Sequence, residues 1–452
     1  MKEDRRHVAV VGTGMAGLVT AYLLHHDPQQ RYRVRLMDKR DQVSLSAESV
    51  AVPSSQPGEK KSVWADVPMR AFAGGFYENL GRMYDYLGVR YHPQPFLFGF
   101  SRLASRPQQH EEAPYMVHAS NFHQLGPLLP RRGDFFQWAL EAALVLLCYL
   151  WFTVCCFFVA PTEDESFGHY LRRIYLPRHY NANYLLPLMS SVCTCSHAEL
   201  LRFPAADVLG YKQRTHRQPH YVVTDGVHKA QETLLRGLDV RLGVHSTRVT
   251  PTANRVELTY RLADSDADKT EVFDLVVLAV SPDIVASVFE PLTSSLRDVP
   301  TTTVTTVAHT DYAALSRIGL DGSKPGGGIS SRPGSPQHIY LRSNGSSTEA
   351  VHAQPNSILV TTNPLTPIDQ SKIIRSASFT RVLRSPQSRR LINRIFDDGR
   401  ADATAIGSWR NGDGGVYLAG GWCWDGMVLL EGCIVSAMRV ASDLGVEVPW
   451  AP

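Results

Sequence analysis

Cysteine is scarce, with seven in 452 residues. Cys193 and Cys195 are separated by one residue, and no second Cys or His pair stands at zinc spacing. That pattern excludes a disulfide framework and a zinc centre, so the thiols read as reduced and structural and no metal is expected. Charge of one sign is equally short. Lys and Arg number 46 against 43 Asp and Glu, a formal +3, with no long basic or acidic run, which removes nucleic acid from the expected partners. A secretory signal is missing too: the start, MKEDRRHVAVVG, passes from a charged tip into a strand pattern, so the expected location is cytoplasmic or facing the cytosol. There is no GxSxG elbow, which excludes the common serine hydrolase arrangement.

What is present is enough apolar residue, 44%, to fill two intimately joined domains, the natural division for this length. His7–Val11 is a short apolar run that leads directly into Gly12-Thr-Gly14-Met15-Ala16-Gly17. Strand, tight turn and helix follow in the order that cradles a dinucleotide. Gly12 permits the turn, Gly14 lets backbone approach a pyrophosphate, and Gly17 lets the helix pack on the strand, with its N-terminus facing the phosphates. A second alternating strand, Tyr32–Met37, ends in Asp38, an acid placed to hold a ribose hydroxyl. Lys39 and Arg40 follow and raise the question of a 2′-phosphate, against which Asp38 argues. FAD and NAD stay undistinguished from these residues alone.

The far end reads as strand, glycine turn, loop and amphipathic helix: Gly415-Val-Tyr-Leu-Ala-Gly420-Gly421-Trp422-Cys-Trp424, then Leu429-Leu430-Glu431-Gly432-Cys433 and onward to Ala441. This resembles the C-terminal flavin motif of the amine oxidase and phytoene desaturase superfamily, with Ala419-Gly420 and Glu431-Gly432-Cys433 at the matching places. The resemblance implies noncovalent FAD, with Gly420 and Gly421 offering backbone to the ribityl chain. It also sets the helix N-terminus at Leu429 and Leu430 against the pyrimidine edge, where a positive helix end favours the reduced, anionic ring. By the same resemblance, Met15 and Ala16 belong to the pyrophosphate turn, Lys39 follows the ribose acid, Val249 offers its backbone to adenine, and Ala279 lies near the cofactor. The segment Val67-Pro-Met-Arg70-Ala-Phe-Ala-Gly-Gly-Phe-Tyr77 is similar to a subgroup of predicted NAD/FAD-binding proteins that includes many fungal chains. Where the family often has an arginine and a glycine pair, this chain reads Val43 to Ser49. Where many members carry an acid or a threonine, it has Gly421.

The expected fold is therefore α/β, a Rossmann-like FAD-binding domain of glutathione reductase type with an interleaved α+β substrate domain. Residues 1–78, 207–285 and 405–452 are assigned to the first and 79–206 and 286–404 to the second. Ser54–Lys61 and Gly322–Pro336 read as exposed loops. Within an expected apolar helix over 139–160, the stretch Ala142–Ala160 carries no charge and would extend about 28 Å as a helix. A full crossing would separate Gly12 from Gly420, which the flavin site needs together. Two readings stay open: a buried helix lining an apolar pocket, and a monotopic helix that dips into one leaflet with Arg131 and Arg132 at the headgroups. Either favours a hydrophobic small-molecule substrate.

Flavin chemistry asks few side chains to react. Trp422 and Trp424 follow the glycine turn and are candidates for an aromatic wall, with plain packing as the alternative. His309 with Asp311 is a candidate for proton transfer, against a structural histidine bonded to its neighbours. Tyr340 and Trp409 are weaker candidates. Three functions follow: an FAD oxidase or dehydrogenase acting on a terpenoid, polyene or lipid; a flavin-dependent isomerase moving double bonds without net oxidation; and a flavin-free binding protein.

Overall fold

The computed structural model describes residues 5–43, 45, 48–52, 63–103, 114–120, 129, 133–316, 335–354, 358–396 and 409–451. The loop read over Ser54–Lys61, most of that over 322–336, and Arg131 and Arg132 lie outside them.

A five-stranded parallel sheet organises the chain. Its order is Asp239–Arg241, Tyr32–Met37, Arg6–Val11, Leu275–Leu278, Val416–Leu418. The central strand Arg6–Val11 has both neighbours in register, Val8 opposite Val34 on one side and Leu275 on the other. Val8–Val10 and Val276–Leu278 are fully buried, as a parallel sheet covered on both faces requires of its central strands. Helix Met15–His25 follows the first strand and is buried from Met15 to Ala21. It shares one core with the C-terminal helix Leu430–Asp443, so the two ends of the chain pack together. The α/β class read from the glycine turn and the strand pattern is the observed one.

Four further sheets lie among the described residues, two of them small: Glu48–Val52 with Val63–Val67, and Ala71–Ala73, His220–Val223 and Tyr91–Pro93. Val244–Pro251, Val256–Leu262 and Asp268–Phe273 form an antiparallel three-stranded sheet. A seven-stranded mixed sheet runs in the order Ile373–Val382, Thr301–His309, Leu359–Thr362, Thr348–Ala353, Gln337–Ser343, Phe96–Arg102, Met116–Ala119.

The apolar segment forms a 24-residue helix, Phe135–Phe158, capped by the Asp134 carboxylate, which accepts from the backbone of Phe136 and Gln137 at 3.1 Å. Val145, Cys148, Phe152, Cys155 and Cys156 face the protein. That face is pinned by Tyr170 Oη, 2.9 Å from Cys155 O, and by Trp151 Nε1 donating to Ile174 O at 2.8 Å. The opposite face keeps Phe136, Leu140, Leu147, Leu150 and Phe158 exposed, Phe136 by 74% and Phe158 by 83%.

Candidate flavin site

A cavity of about 510 Å3 opens at the C-terminal ends of the parallel strands, and residues from both chain ends form its wall. The size falls in the range of small-molecule sites, and the position is where open α/β sheets bind ligands.

Gly12 turns the chain with φ +110°, a conformation that disfavours any other residue, and a Cβ there would collide with Ala279 O. Its N–H donates to Met37 O at 2.7 Å. Gly17 sits so close to Gly12 O that a side chain would overlap it. The helix is thereby held tight on the sheet with its N-terminus at the cavity. Asp38 lies on the wall, and its carboxylate also accepts from Thr13 N at 2.7 Å, Thr13 Oγ at 2.6 Å and Arg40 N at 2.9 Å. It braces the turn from the cavity wall.

From the other chain end, Gly420, Gly421, Leu429 and Leu430 reach the same cavity, with Ala279, Met15 and Ala16 beside them. Gly420 N donates to Ser436 Oγ at 2.9 Å, which fixes the turn on the helix that follows. That helix starts at Leu430 with no side chain capping it, so its first N–H groups are available to the electron-rich edge of a flavin. Glu431 points away and joins the two chain ends. It accepts from Asn79 N at 2.9 Å, Asn79 Nδ2 at 2.7 Å and Leu80 N at 3.1 Å, while burial pushes its pKa up.

The tryptophans separate. Trp422 lines the cavity, with Nε1 donating to Val280 O at 3.0 Å. Trp424 does not: it donates to Met427 O at 2.9 Å and packs edge-on against Phe76, so its role is packing. Both are held by a residue that sequence reading passed over. Buried Arg384 donates to Trp422 O and Trp424 O at 2.7 Å and to Gly426 O at 2.9 Å, with Asp207 at 3.7 Å. No local pattern announces it, because its partners lie some 40 residues away in sequence.

His309 and Asp311 are also off the cavity wall. The His309 ring is fully buried, its Nδ1 accepts from Asp311 N at 3.1 Å, and Nε2 donates to Thr361 Oγ1 at 2.7 Å. Burial pushes it down to about 4. Asp311 accepts from Asp369 N at 3.1 Å and Lys372 Nζ at 3.2 Å. Both nitrogens of the ring are spent on neighbours, which corrects the proton-transfer reading to a structural one. Tyr340 stacks on His338, and Trp409 packs against Phe289, likewise away from the wall. Val249, expected to offer its backbone to adenine, has its side chain in the core of the three-stranded sheet, and Val244, His245 and Ser246 of the same strand line the cavity. No residue of helix Phe135–Phe158 lines this cavity.

Wall residues that sequence reading did not single out include Arg70, Tyr77, Tyr211, His220, His352 and Arg381. Burial pushes His220 and His352 down to about 4 and about 3, so both are neutral near pH 7.

The residues present fit FAD: a glycine turn and helix N-terminus for the pyrophosphate, Asp38 for ribose, a second glycine pair and helix start for the ring, all on one cavity. Residues 10–87 match the model of the NAD(P)-binding Rossmann-like domain, and residues 157–324 match that of the flavin containing amine oxidoreductases. No curated protein sequence matches. Among solved structures, the fold is similar to a putative protoporphyrinogen oxidase from Exiguobacterium sp. 255-15, at 14% identity and TM-score 0.58 over 98% of this chain and 100% of that one. It is similar also to a CLA-producing fatty acid isomerase from P. acnes, at 12% identity and TM-score 0.58 over 98% and 99%. With both models matched in order along one chain whose two ends close a single flavin cavity, the protein belongs to the FAD-dependent amine oxidase superfamily of oxidoreductases.

Proposed function

We propose that the protein binds FAD without a covalent link and oxidises a hydrophobic small metabolite such as a terpenoid, polyene or lipid. The observation that carries this is the composition of the wall beyond the flavin position, where Phe96, Phe98, Ile339, Val360 and Phe379 line the cavity. Bound there, FAD supplies acceptance of a hydride from a substrate C–H bond. The chain's own part is to bind and orient: apolar side chains exclude water and press the substrate towards the ring, and the Leu430 helix start favours negative charge on it. The purified protein is expected to be yellow, to bleach with dithionite, and to release all its flavin on acid precipitation. Colourless protein would favour the flavin-free binding reading, and colour retained in the precipitate would contradict noncovalent binding. A product of unchanged mass would favour the isomerase, an activity that one similarly folded protein carries in its name.

The same proposal includes a membrane contact through helix Phe135–Phe158. Its outer face carries exposed apolar side chains from Leu140 to Phe158, and the neighbouring surface carries exposed Arg172, Arg178, Arg214 and Arg217, which complements anionic headgroups. The inner face is packed on protein, so the helix lies along one leaflet. Sedimentation with vesicles containing phosphatidylserine should recover the protein, and Leu147→Glu with Phe158→Glu should reduce that recovery by about tenfold or more, since each charge must leave the acyl boundary. Equal recovery would remove the membrane contact and leave the flavin reading untouched.

A further inference from the structure

The flavin end of the cavity holds a cation that its surroundings do not neutralise. Among the described residues the wall carries Lys39, Arg40, Arg70 and Arg381 but a single carboxylate, Asp38. Lys39 and Arg40 stand beside Asp38 at the ribose end, and Arg70 lies within electrostatic reach of Asp66. Arg381 has no carboxylate within ion-pair distance among the described residues. Its Nε donates to Cys193 O at 3.0 Å, which anchors the guanidinium to the end of helix Leu186–Cys193 and leaves its two terminal nitrogens for a ligand. The guanidinium acts electrostatically on Tyr77 and Cys433, both on the wall where the ring would lie. Phe379, two residues earlier on the same strand, shares that wall.

We infer that Arg381 is a specificity-determining residue that receives the carboxylate of a hydrophobic acid, so that the substrate is an amphipathic carboxylate and not an amine. This rests on the FAD reading of the cavity and deepens it. A planar guanidinium with its outer edge free matches a carboxylate in two parallel hydrogen bonds, and such pairs are strongest where water is excluded. A protonated amine in the same place would meet a like charge with no carboxylate paired to Arg381 to offset it, at a cost that low dielectric magnifies. The apolar side chains around the cavity then take the substrate's body, leaving the carboxylate to fix which carbon faces the ring.

The test is calorimetric titration of the FAD-loaded protein with decanoate, decylamine and decanol, with flavin absorbance recorded in parallel. Decanoate is expected to bind at least tenfold more tightly than either of the others. Arg381→Gln should remove that preference while keeping the parent's flavin content and melting temperature, and Arg381→Lys should restore part of it. Should Arg381→Gln fail to fold, the contrast among the three ligands on the parent and Arg381→Lys still decides. Decylamine or decanol binding as well as decanoate would overturn the inference. So would an Arg381→Gln protein that binds decanoate like the parent, including one whose flavin potential alone has moved, which would assign the arginine to the ring. Protein that purifies without flavin fails the FAD reading instead, and the heats still compare the three ligands.

Discussion

Gly14→Val is expected to give a folded protein that cannot retain FAD. Gly14 has φ −65° and ψ 173°, an extended conformation that valine adopts readily. It is the residue before helix Met15–His25 and lies on the cavity wall. The valine side chain would fill the space that lets the pyrophosphate approach the helix N-terminus. Loss of that approach should weaken FAD by on the order of a hundredfold or more, equivalent to about 2.7 kcal/mol. Far-ultraviolet circular dichroism should match the parent while the flavin absorbance vanishes. A fully flavinylated variant would refute the N-terminal assignment. Gly17→Ala should behave in the opposite way and damage folding itself, because its Cβ would overlap Gly12 O; a parent-like melting temperature would count against that packing argument.

Arg384→Leu should be among the most damaging single changes outside the glycine turns. The guanidinium satisfies three backbone carbonyls of the tryptophan loop and faces Asp207, whose side chain is as buried as its own. Removing it strands those carbonyls and leaves Arg389, at 3.2 Å, as the remaining partner of the carboxylate. Breaking a buried pair in this way costs roughly 3–5 kcal/mol. Chemical denaturation is the direct measurement. Adding Asp207→Leu should recover part of the loss, since the buried charge goes while the carbonyls stay unmet. A single variant within 1 kcal/mol of the parent, a threshold of roughly one ordinary hydrogen bond, would show that the loop holds itself.

What could be read from sequence was whatever depends on close spacing. Gly12, Gly14 and Gly17 act within one turn, and the strand before them and Asp38 after them complete a local grammar. Leu429 to Gly432 became legible only through resemblance, since a glycine turn before a helix has many uses. His309 misled because alternation along Thr301–His309 says that a side chain is on one face of a strand but not what covers that face; here it is Thr361. Trp422 and Trp424, two residues apart, part company because the loop between Gly421 and Leu430 is irregular, so no period predicts which ring meets the cavity. Arg70, Arg381 and Arg384 were silent for a different reason: an isolated arginine has no pattern, and its meaning comes from partners distant in sequence. The helix Phe135–Phe158 shows the limit of composition, because an apolar stretch looks the same whether its second face meets protein or something else.

The closure of the flavin cavity by both ends of the chain has a consequence during synthesis. The first strand leaves the ribosome long before its partner Leu275–Leu278, and the glycine turn waits longer still for Leu429 and Leu430. At ~5–20 residues per second the gap lasts roughly 20–80 s. For roughly the first 13–53 s of it, the central strand of the sheet, apolar from Val8 to Val11, has an unpaired edge where Leu275–Leu278 will later stand. Until Leu429 and Leu430 are made, the glycine turn has only part of the wall that would hold the cofactor, so FAD can add little stability to the nascent N-terminal unit.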